Sequence, residues 1–470
     1  ESINPATGEI LATFPEGTVK DVERAIEAAS DAQTIWRGFP APKRGEILLK
    51  AAWIMRNRKD ELGELASREM GKVISEGKGD VQEAVDFLEY IAGEGRRMAG
   101  ETTPSELRDK FCMTVRRPIG VVGLITPWNF PFAVPCWKLG PALVAGNTVV
   151  YKPATLTPLC AATFVRILEE AGLPPGVLNM VTGPAEEVGR AIVEHPGIRA
   201  VSFTGSVSSG QDVYTRASTG LKRVGLELGG KNPQIVMDDA DIPLAVEGAL
   251  FGAFGTAGQR CTATSRLILH GAIYEETMER LVSRTRDLKV GDPVDPAVDV
   301  GPVCGEDQEK KILNYIEVGK KEGAHLITGG QKMTGPRFDK GFFIAPTIFE
   351  ARHGMRITKE EIFGPVLAVI KVQDYGEAIH VANDVEYGLS SSIYTRDIRT
   401  AHRAIDELEA GIVYINAPTI GAEVHLPFGG VKSTGIGTRE AGSAAIEEFT
   451  EIKTVFIDYS GRLQKAQIQE

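Results

Sequence analysis

From Gly120 onward, short β-branched runs alternate with helical segments, and this alternation constrains the fold more than any other feature of the 470-residue chain. Residues 121–125, 148–151, 177–181 and 200–203 read as strands, with helices over 137–145, 158–171 and 185–194 between them. Strands and helices alternating at this spacing predict a parallel, doubly wound α/β sheet. A second series, with strands near 234–236, 265–269, 324–328, 366–370, 391–394 and 411–415, predicts a second domain built on similar lines. Residues 19–95 precede both. Val22, Ala25, Ile26 and Ala29 recur there at helical spacing, and apolar stripes over 41–58 and 81–91 continue the pattern. Two segments fit neither series. In 110–118, Phe111, Met113 and Val115 alternate with polar residues, and 452–459 repeats the period of two through Ile452, Thr454, Phe456 and Asp458. Both read as solvent-spanning antiparallel strands in need of partners. A β-flap reaching another subunit would supply them, which predicts a homodimer or homotetramer.

Composition narrows the function classes. With 43% hydrophobic and 24% charged residues, the chain is that of a globular enzyme and not of a disordered protein. Lys plus Arg number 52 against 63 Asp plus Glu, and the formal charge of -11 disfavours nucleic acid and anionic membranes as partners. Apolar stretches such as 121–125 and 142–150 are broken well short of the roughly 20 residues a membrane span needs. The first residues lack the basic start and apolar core of a secretory signal, and the chain opens on Glu1 in place of Met, which leaves room for a preceding segment. Five scattered cysteines, Cys112, Cys136, Cys160, Cys261 and Cys304, form no CxxC pair. They argue against a disulfide framework and a zinc site, so no metal is expected and a reducing, cytoplasmic setting fits best.

The strongest constellation is Leu226-Glu227-Leu228-Gly229-Gly230-Lys231, followed 34 residues after the glutamate by Cys261 in Gly258-Gln259-Arg260-Cys261-Thr262. A carboxylate backed by glycines lies against a ligand without side-chain obstruction, and a cysteine after Gly and Gln is accessible in the same way. Taken alone, either residue reads more simply as a turn glutamate or an inert buried thiol. The segment Ile125-Thr126-Pro127-Trp128-Asn129-Phe130-Pro131 changes the balance. Its prolines fix the backbone at the C-terminal end of a strand, where open α/β sheets place ligands, and a rigid Asn129 amide there suits an oxyanion hole. Trp128 and Phe130 read equally as core packing or as the wall of a substrate channel. No GxGxxG is present; Gly205-Ser206-Val207-Ser208-Ser209-Gly210 occupies a strand-to-helix turn instead, by itself a weak signal.

With these residues in view, the sequence resembles the aldehyde dehydrogenase superfamily from Asn4 to about Asp458. Lys152-Pro153-Ala154, Phe203-Thr204-Gly205-Ser206, Leu226 to Lys231, Gly258 to Cys261, Glu360-Glu361-Ile362-Phe363-Gly364-Pro365 and Pro427-Phe428-Gly429-Gly430 all follow in the family's order and spacing. The resemblance implies oxidation of an aldehyde to a carboxylic acid with NAD or NADP. It implies a Rossmann-like NAD(P)-binding domain over 1–105 and 119–229, a catalytic domain over 230–445, and an oligomerisation flap from 106–118 and 446–462. Cys261 is then the nucleophile, and Asn129 with the Cys261 backbone N–H holds the oxyanion of a thiohemiacetal. Glu227 activates the water that hydrolyses the thioester. Lys138 with Glu440 relays that proton outward, although a simple ion pair is an equal reading. Cofactor contacts fall to Thr126, Pro127, Trp128, Lys152, Thr155, Gly205, Ser206, Glu227, Gly229, Glu361 and Phe363. Many NAD-preferring relatives carry a glutamate where this chain has Thr155, so tolerance of NADP is expected.

Within the superfamily, Gly258 to Arg266 and Pro427 to Gly442 look like the 2-oxoglutarate semialdehyde dehydrogenases, while Asn416 to Glu423 resembles the aminoadipate semialdehyde dehydrogenases. Both groups act on short aldehydes carrying a carboxylate, for which Arg260 or His425 would be the cation. Phe130, Trp137, Thr262 and Phe428 complete the expected substrate contacts. The alternative is a broad aliphatic or aromatic aldehyde dehydrogenase with an apolar tunnel. A CoA-acylating enzyme is disfavoured by Glu227, and a binding protein on a retired scaffold by the intact Cys261, Glu227, Asn129 and Lys152. A thiol esterase would need a histidine near Cys261, and none lies near it in sequence.

Overall fold

The computed structural model describes residues 1–468, which contain two large sheets, one three-stranded sheet and two short two-stranded pairings. In the first sheet the strands Arg223–Glu227, Ala200–Thr204, Val121–Ile125, Thr148–Lys152 and Leu178–Met180 run parallel in that spatial order. The chain starts in the middle and winds outward to both edges, as β-α-β alternation requires. The helix Ala133–Ala145 begins four residues earlier than its hydrophobic run suggests, and Pro158–Ala171 lies where expected. The predicted helix over 185–194 is instead a π-turn, Ala185–Gly189, followed by the α-turn Arg190–Glu194.

The second sheet has seven strands. Asn232–Val236 and Thr264–His270 lie at its centre, flanked by Val366–Val372 and Thr347–Glu350 on one side and by Ser390–Tyr394 and Ile412–Ile415 on the other. His325–Thr328 closes one edge antiparallel to Thr347–Glu350. The helices Val19–Gly38, Ala41–Asn57, Lys59–Met70 and Ile74–Glu94 account for the opening helical stretch, with Leu88, Ile91, Leu139 and Leu143 in one core. Gly435–Ile436, which the sequence-based boundary leaves with the second unit, pairs antiparallel with Arg223–Glu227 in the first sheet. The chain thereby returns across the glutamate after completing the second sheet.

Lys110–Pro118 and Thr450–Asp458 pair with each other over nine residues, and Thr102–Pro104 adds a third strand. The expected partner for each strand is thus found within the same chain. One face stays apolar and open, with Ile452 65% and Phe456 64% exposed. All five cysteines are free thiols, four buried and Cys261 half-buried. No helix among the described residues is long and apolar enough to cross a membrane.

Candidate active site

The C-terminal ends of the first sheet's strands open onto a cavity of about 250 Å³. Glu227 ends its strand at this rim, opposite Thr204 in register, and Gly205-Ser206 lead from there into the helix Val207–Ser218. Ser206 caps that helix, its hydroxyl accepting from the Ser209 N–H at 3.2 Å. The Pro127–Pro131 segment leaves the neighbouring strand Val121–Ile125, so Pro127, Trp128, Asn129 and Phe130 line the same cavity.

Cys261 reaches the cavity on a turn held by unusual backbone. Thr256, Ala257 and Gly258 are successively left-handed, with φ of 52°, 52° and 69°. Non-glycine residues persist there only when their surroundings over-determine them. Both Glu76 carboxylate oxygens accept the Thr256 N–H at 2.9 Å, and the same side chain pairs with Arg260 at 2.8 Å. Gln259, fully buried, donates to the Thr256 carbonyl at 3.1 Å and accepts the Cys304 N–H at 2.8 Å. Asn232 donates to the Cys261 and Ala263 carbonyls at 2.8 and 2.9 Å. Asn129 donates through Nδ2 to the Gln259 carbonyl at 3.1 Å, tying the proline segment to the cysteine turn.

The glycines behind Glu227 work by close approach. A Cβ on Gly229 would lie 2.6 Å from a Glu361 carboxylate oxygen, and one on Gly230 would lie 2.5 Å from the Cys261 carbonyl. The Gly230 N–H also donates to Glu361 at 3.0 Å. Phe363, itself left-handed at φ 60°, sets its ring edge-on to Trp128 at 5.4 Å, and Trp137 meets Phe428 at 4.9 Å.

Burial dominates the electrostatics. The Cys261 thiol is pushed up to about 12 by burial and then by the Glu361 and Glu227 carboxylates. Glu227 is held well above the usual carboxylate range by burial and by neighbouring Glu440, with Lys138 opposing, and its Oε2 has no hydrogen-bond partner. Glu361 is raised by burial against the pull of the Gly230 N–H. Behind Glu227, Lys138 is fully buried, ion-paired with Glu440 and donating to the Ser202 hydroxyl at 2.8 Å.

The structure therefore brings together most residues singled out in the sequence. Pro127, Trp128, Asn129, Phe130, Trp137, Gly205, Ser206, Glu227, Gly229, Arg260, Cys261, Thr262, Glu361, Phe363, Phe428 and Glu440 all line one cavity. Thr126 does not; it is buried, its hydroxyl 3.0 Å from that of Tyr151. Lys138 lies behind the wall. Lys152 is buried at the end of its strand, pushed down to about 8 by desolvation, with Nζ donating to the Pro153 carbonyl, and Thr155 is exposed nearby. His425 is exposed beside Glu423 at 3.6 Å and does not line the cavity. Arg260 lines the cavity but is already engaged by Glu76 and Thr256. Glu83, Val134, Thr204, Leu228, Gln308, Lys311, Gly421 and Ala422 line it too and were not singled out. Gln308 and Lys311 stand three apart on the helix Glu306–Lys321, the one spacing that could have marked them as a common face.

Residues 1–455 match the model of the aldehyde dehydrogenase family. The chain is 47% identical over 456 residues to alpha-ketoglutaric semialdehyde dehydrogenase of Bacillus subtilis (strain 168), covering 97% of this chain and 93% of that one. It is 45% identical over 459 residues to 2,5-dioxopentanoate dehydrogenase of Saccharolobus solfataricus, covering 97% and 95%. A solved structure of betaine aldehyde dehydrogenase from Staphylococcus aureus in complex with NAD+ superimposes with a TM-score of 0.96 at 36% identity, covering 98% of this chain and 92% of that one. A cysteine turn and a glycine-backed glutamate meeting over one cavity, along a chain matched almost end to end, place this protein in the aldehyde dehydrogenase family.

Proposed function

We propose that the chain oxidises 2-oxoglutarate semialdehyde, or a short aldehyde of the same carboxylated class, to the carboxylic acid with NAD or NADP. The observation that carries this reading is the convergence of Cys261, Asn129 and Glu227 on one cavity. The two semialdehyde dehydrogenases of similar sequence support the substrate class.

The cavity wall suits a nicotinamide dinucleotide. Glu361 is seated against Gly229 where any side chain would collide, and Ser206 stands exposed at a helix N-terminus, a setting that favours phosphate. Trp128, Pro127, Gly205 and Phe363 would flank it, with Lys152, Thr126 and Thr155 toward the adenosine end. When bound, the oxidised dinucleotide supplies a cationic ring that accepts a hydride.

The chain's own residues do the rest. Burial keeps the resting Cys261 thiol protonated, so its proton passes to water in the cavity as the sulfur attacks the aldehyde carbon. The Asn129 amide and the Cys261 N–H hold the resulting oxyanion. After oxidation to the thioester, Glu227, which burial favours in its protonated form, first gives up its proton through the Lys138–Glu440 pair and then takes one from the attacking water, a role worth roughly 10²–10⁴-fold in rate. Lys138 and Glu440, buried behind it, pass that proton on. The NAD(P)-binding domain is assigned to 1–105 and 119–229, the catalytic domain to 230–445, and the flap to 106–118 and 446–462 as the contact of a homo-oligomer.

One observation favours a second reading, a broad aldehyde dehydrogenase. Phe130, Trp137 and Phe428 make the substrate end largely aromatic, and Arg260 is partly spent on Glu76. Nicotinamide reduction across 2-oxoglutarate, aminoadipate and succinate semialdehydes and benzaldehyde, with NAD and with NADP, separates the two. We expect kcat/KM for one carboxylated aldehyde to exceed that for benzaldehyde at least tenfold; equal values would favour the broad enzyme.

A further inference from the structure

One carboxyl on the cavity wall is unaccounted for. Glu83, on the helix Ile74–Glu94, lines the cavity with Cys261, Arg260 and Phe130 and makes no hydrogen bond or ion pair among the described residues. The charges beside it are already matched. Lys72 pairs with Asp80 at 3.4 Å, both side chains fully buried, and Arg260 pairs with Glu76 at 2.8 Å. Both cations also face the Phe130 ring, Lys72 at 3.8 Å and Arg260 at 5.3 Å from its centroid. The cluster therefore holds three acids, Glu76, Asp80 and Glu83, against two bases. On the cavity wall Glu83 is half-buried, and a carboxylate set beside two other acids with no partner of its own is costly, so the cluster keeps a proton and the unpartnered member keeps it best.

The groups around Glu83 act on it in both directions, and the raising ones prevail. Burial and the Asp80 charge hold its carboxyl at about 8 against the pull of Lys72 and Arg260, and Asp86 adds to the rise. From other elements, the Cys136 thiol is raised well above its ordinary value and the Tyr414 hydroxyl to about 12, both by burial first, so neither ionises in the range where Glu83 does. A protonated carboxyl is a hydrogen-bond donor; an ionised one is only an acceptor.

We propose that Glu83 determines substrate specificity by donating its carboxyl proton in a hydrogen bond to the carboxylate of the bound aldehyde, beside the cavity-facing edge of Arg260. This rests on the reading that the substrate carries a carboxylate. The sign follows: below pH about 8 Glu83 attracts such a substrate, and above it the same residue presents a negative charge and repels it. An uncharged aldehyde makes no such distinction.

The test is KM against pH from 6.5 to 9.5 for 2-oxoglutarate semialdehyde and for propanal, in the wild type and in Glu83→Gln. The ratio of the two KM values is expected to climb above pH 8 by up to about tenfold per unit in the wild type. Gln donates without ionising, so the variant is expected to lose that inflection. An inflection that persists in Glu83→Gln overturns the assignment of Glu83 while leaving the substrate reading intact. A wild type that turns over the carboxylated aldehyde no better than propanal at pH 7 removes both. A wild type that prefers an ammonium-bearing aldehyde, with the preference lost in Glu83→Gln, makes Glu83 an ionised cation site and also overturns the proposal.

Discussion

Cys261 is a thiol that its own surroundings keep protonated, and this sets the chemistry of the resting protein. Burial, then Glu361 and Glu227, raise it to about 12, so its thiolate fraction grows about tenfold per pH unit through the neutral and mildly alkaline range. Site-resolved alkylation by iodoacetamide in the absence of cofactor is expected to accelerate at Cys261 by that factor between pH 7 and 10. A plateau near pH 8.5, where an ordinary thiol titrates, would contradict it. The residues of this centre are legible because each carries an unusual local context: Cys261 after Gly-Gln-Arg, Glu227 before two glycines, Asn129 between prolines. Glu83, Gln308 and Lys311 are not legible, because a polar residue on an amphipathic helix has the same pattern whether it faces water or a cavity. Neither was the pairing of Arg260, whose partner Glu76 lies 184 residues away. The position of His425 was likewise not legible: sequence proximity to Phe428 says nothing about which side of a turn faces inward.

Among the elements, the strands that cross the middle of each sheet are written as β-branched runs and were legible to within a residue or two. Arg223–Glu227 escaped notice because Arg-Val-Gly-Leu-Glu has one β-branched residue, a glycine and a charge at each end. Its strand character comes from Ala200–Thr204 on one side and Gly435–Ile436 on the other, which is tertiary context. Thr347–Glu350 is similar, four residues fixed by their neighbours. The alternating flap strands were legible as a pair, and what they leave exposed supports the oligomer reading. Ile452 and Phe456 stand on one face at a spacing of four, an open apolar strip of the kind that marks a contact surface. The double substitution Ile452→Asp, Phe456→Asp is expected to reduce the mass by light scattering to that of one chain, with the helical circular dichroism retained. A wild-type mass already equal to one chain would remove the flap contact.

At the scale of the whole molecule, two sheets meet over one cavity. The first supplies Glu227, Asn129 and the Gly205-Ser206 turn; the loops around the second supply Cys261, Glu361 and Phe363. The chain's return through Gly435–Ile436 sets Glu440 beside Lys138, behind the glutamate. We propose a division of labour in which Cys261, on the second side, forms the covalent bond with the Asn129 amide of the first holding the oxyanion, and Glu227, on the first, resolves it. Intact-protein and peptide mass spectrometry of Glu227→Gln, after incubation with 2-oxoglutarate semialdehyde and NAD, tests that claim most directly. We predict one acyl group per chain on the peptide carrying Cys261, formed with one equivalent of reduced nicotinamide and hydrolysed at least 10²-fold more slowly than the wild type turns over. Unimpaired turnover in Glu227→Gln, or an acyl group that still forms when Cys261→Ala is added, would contradict it.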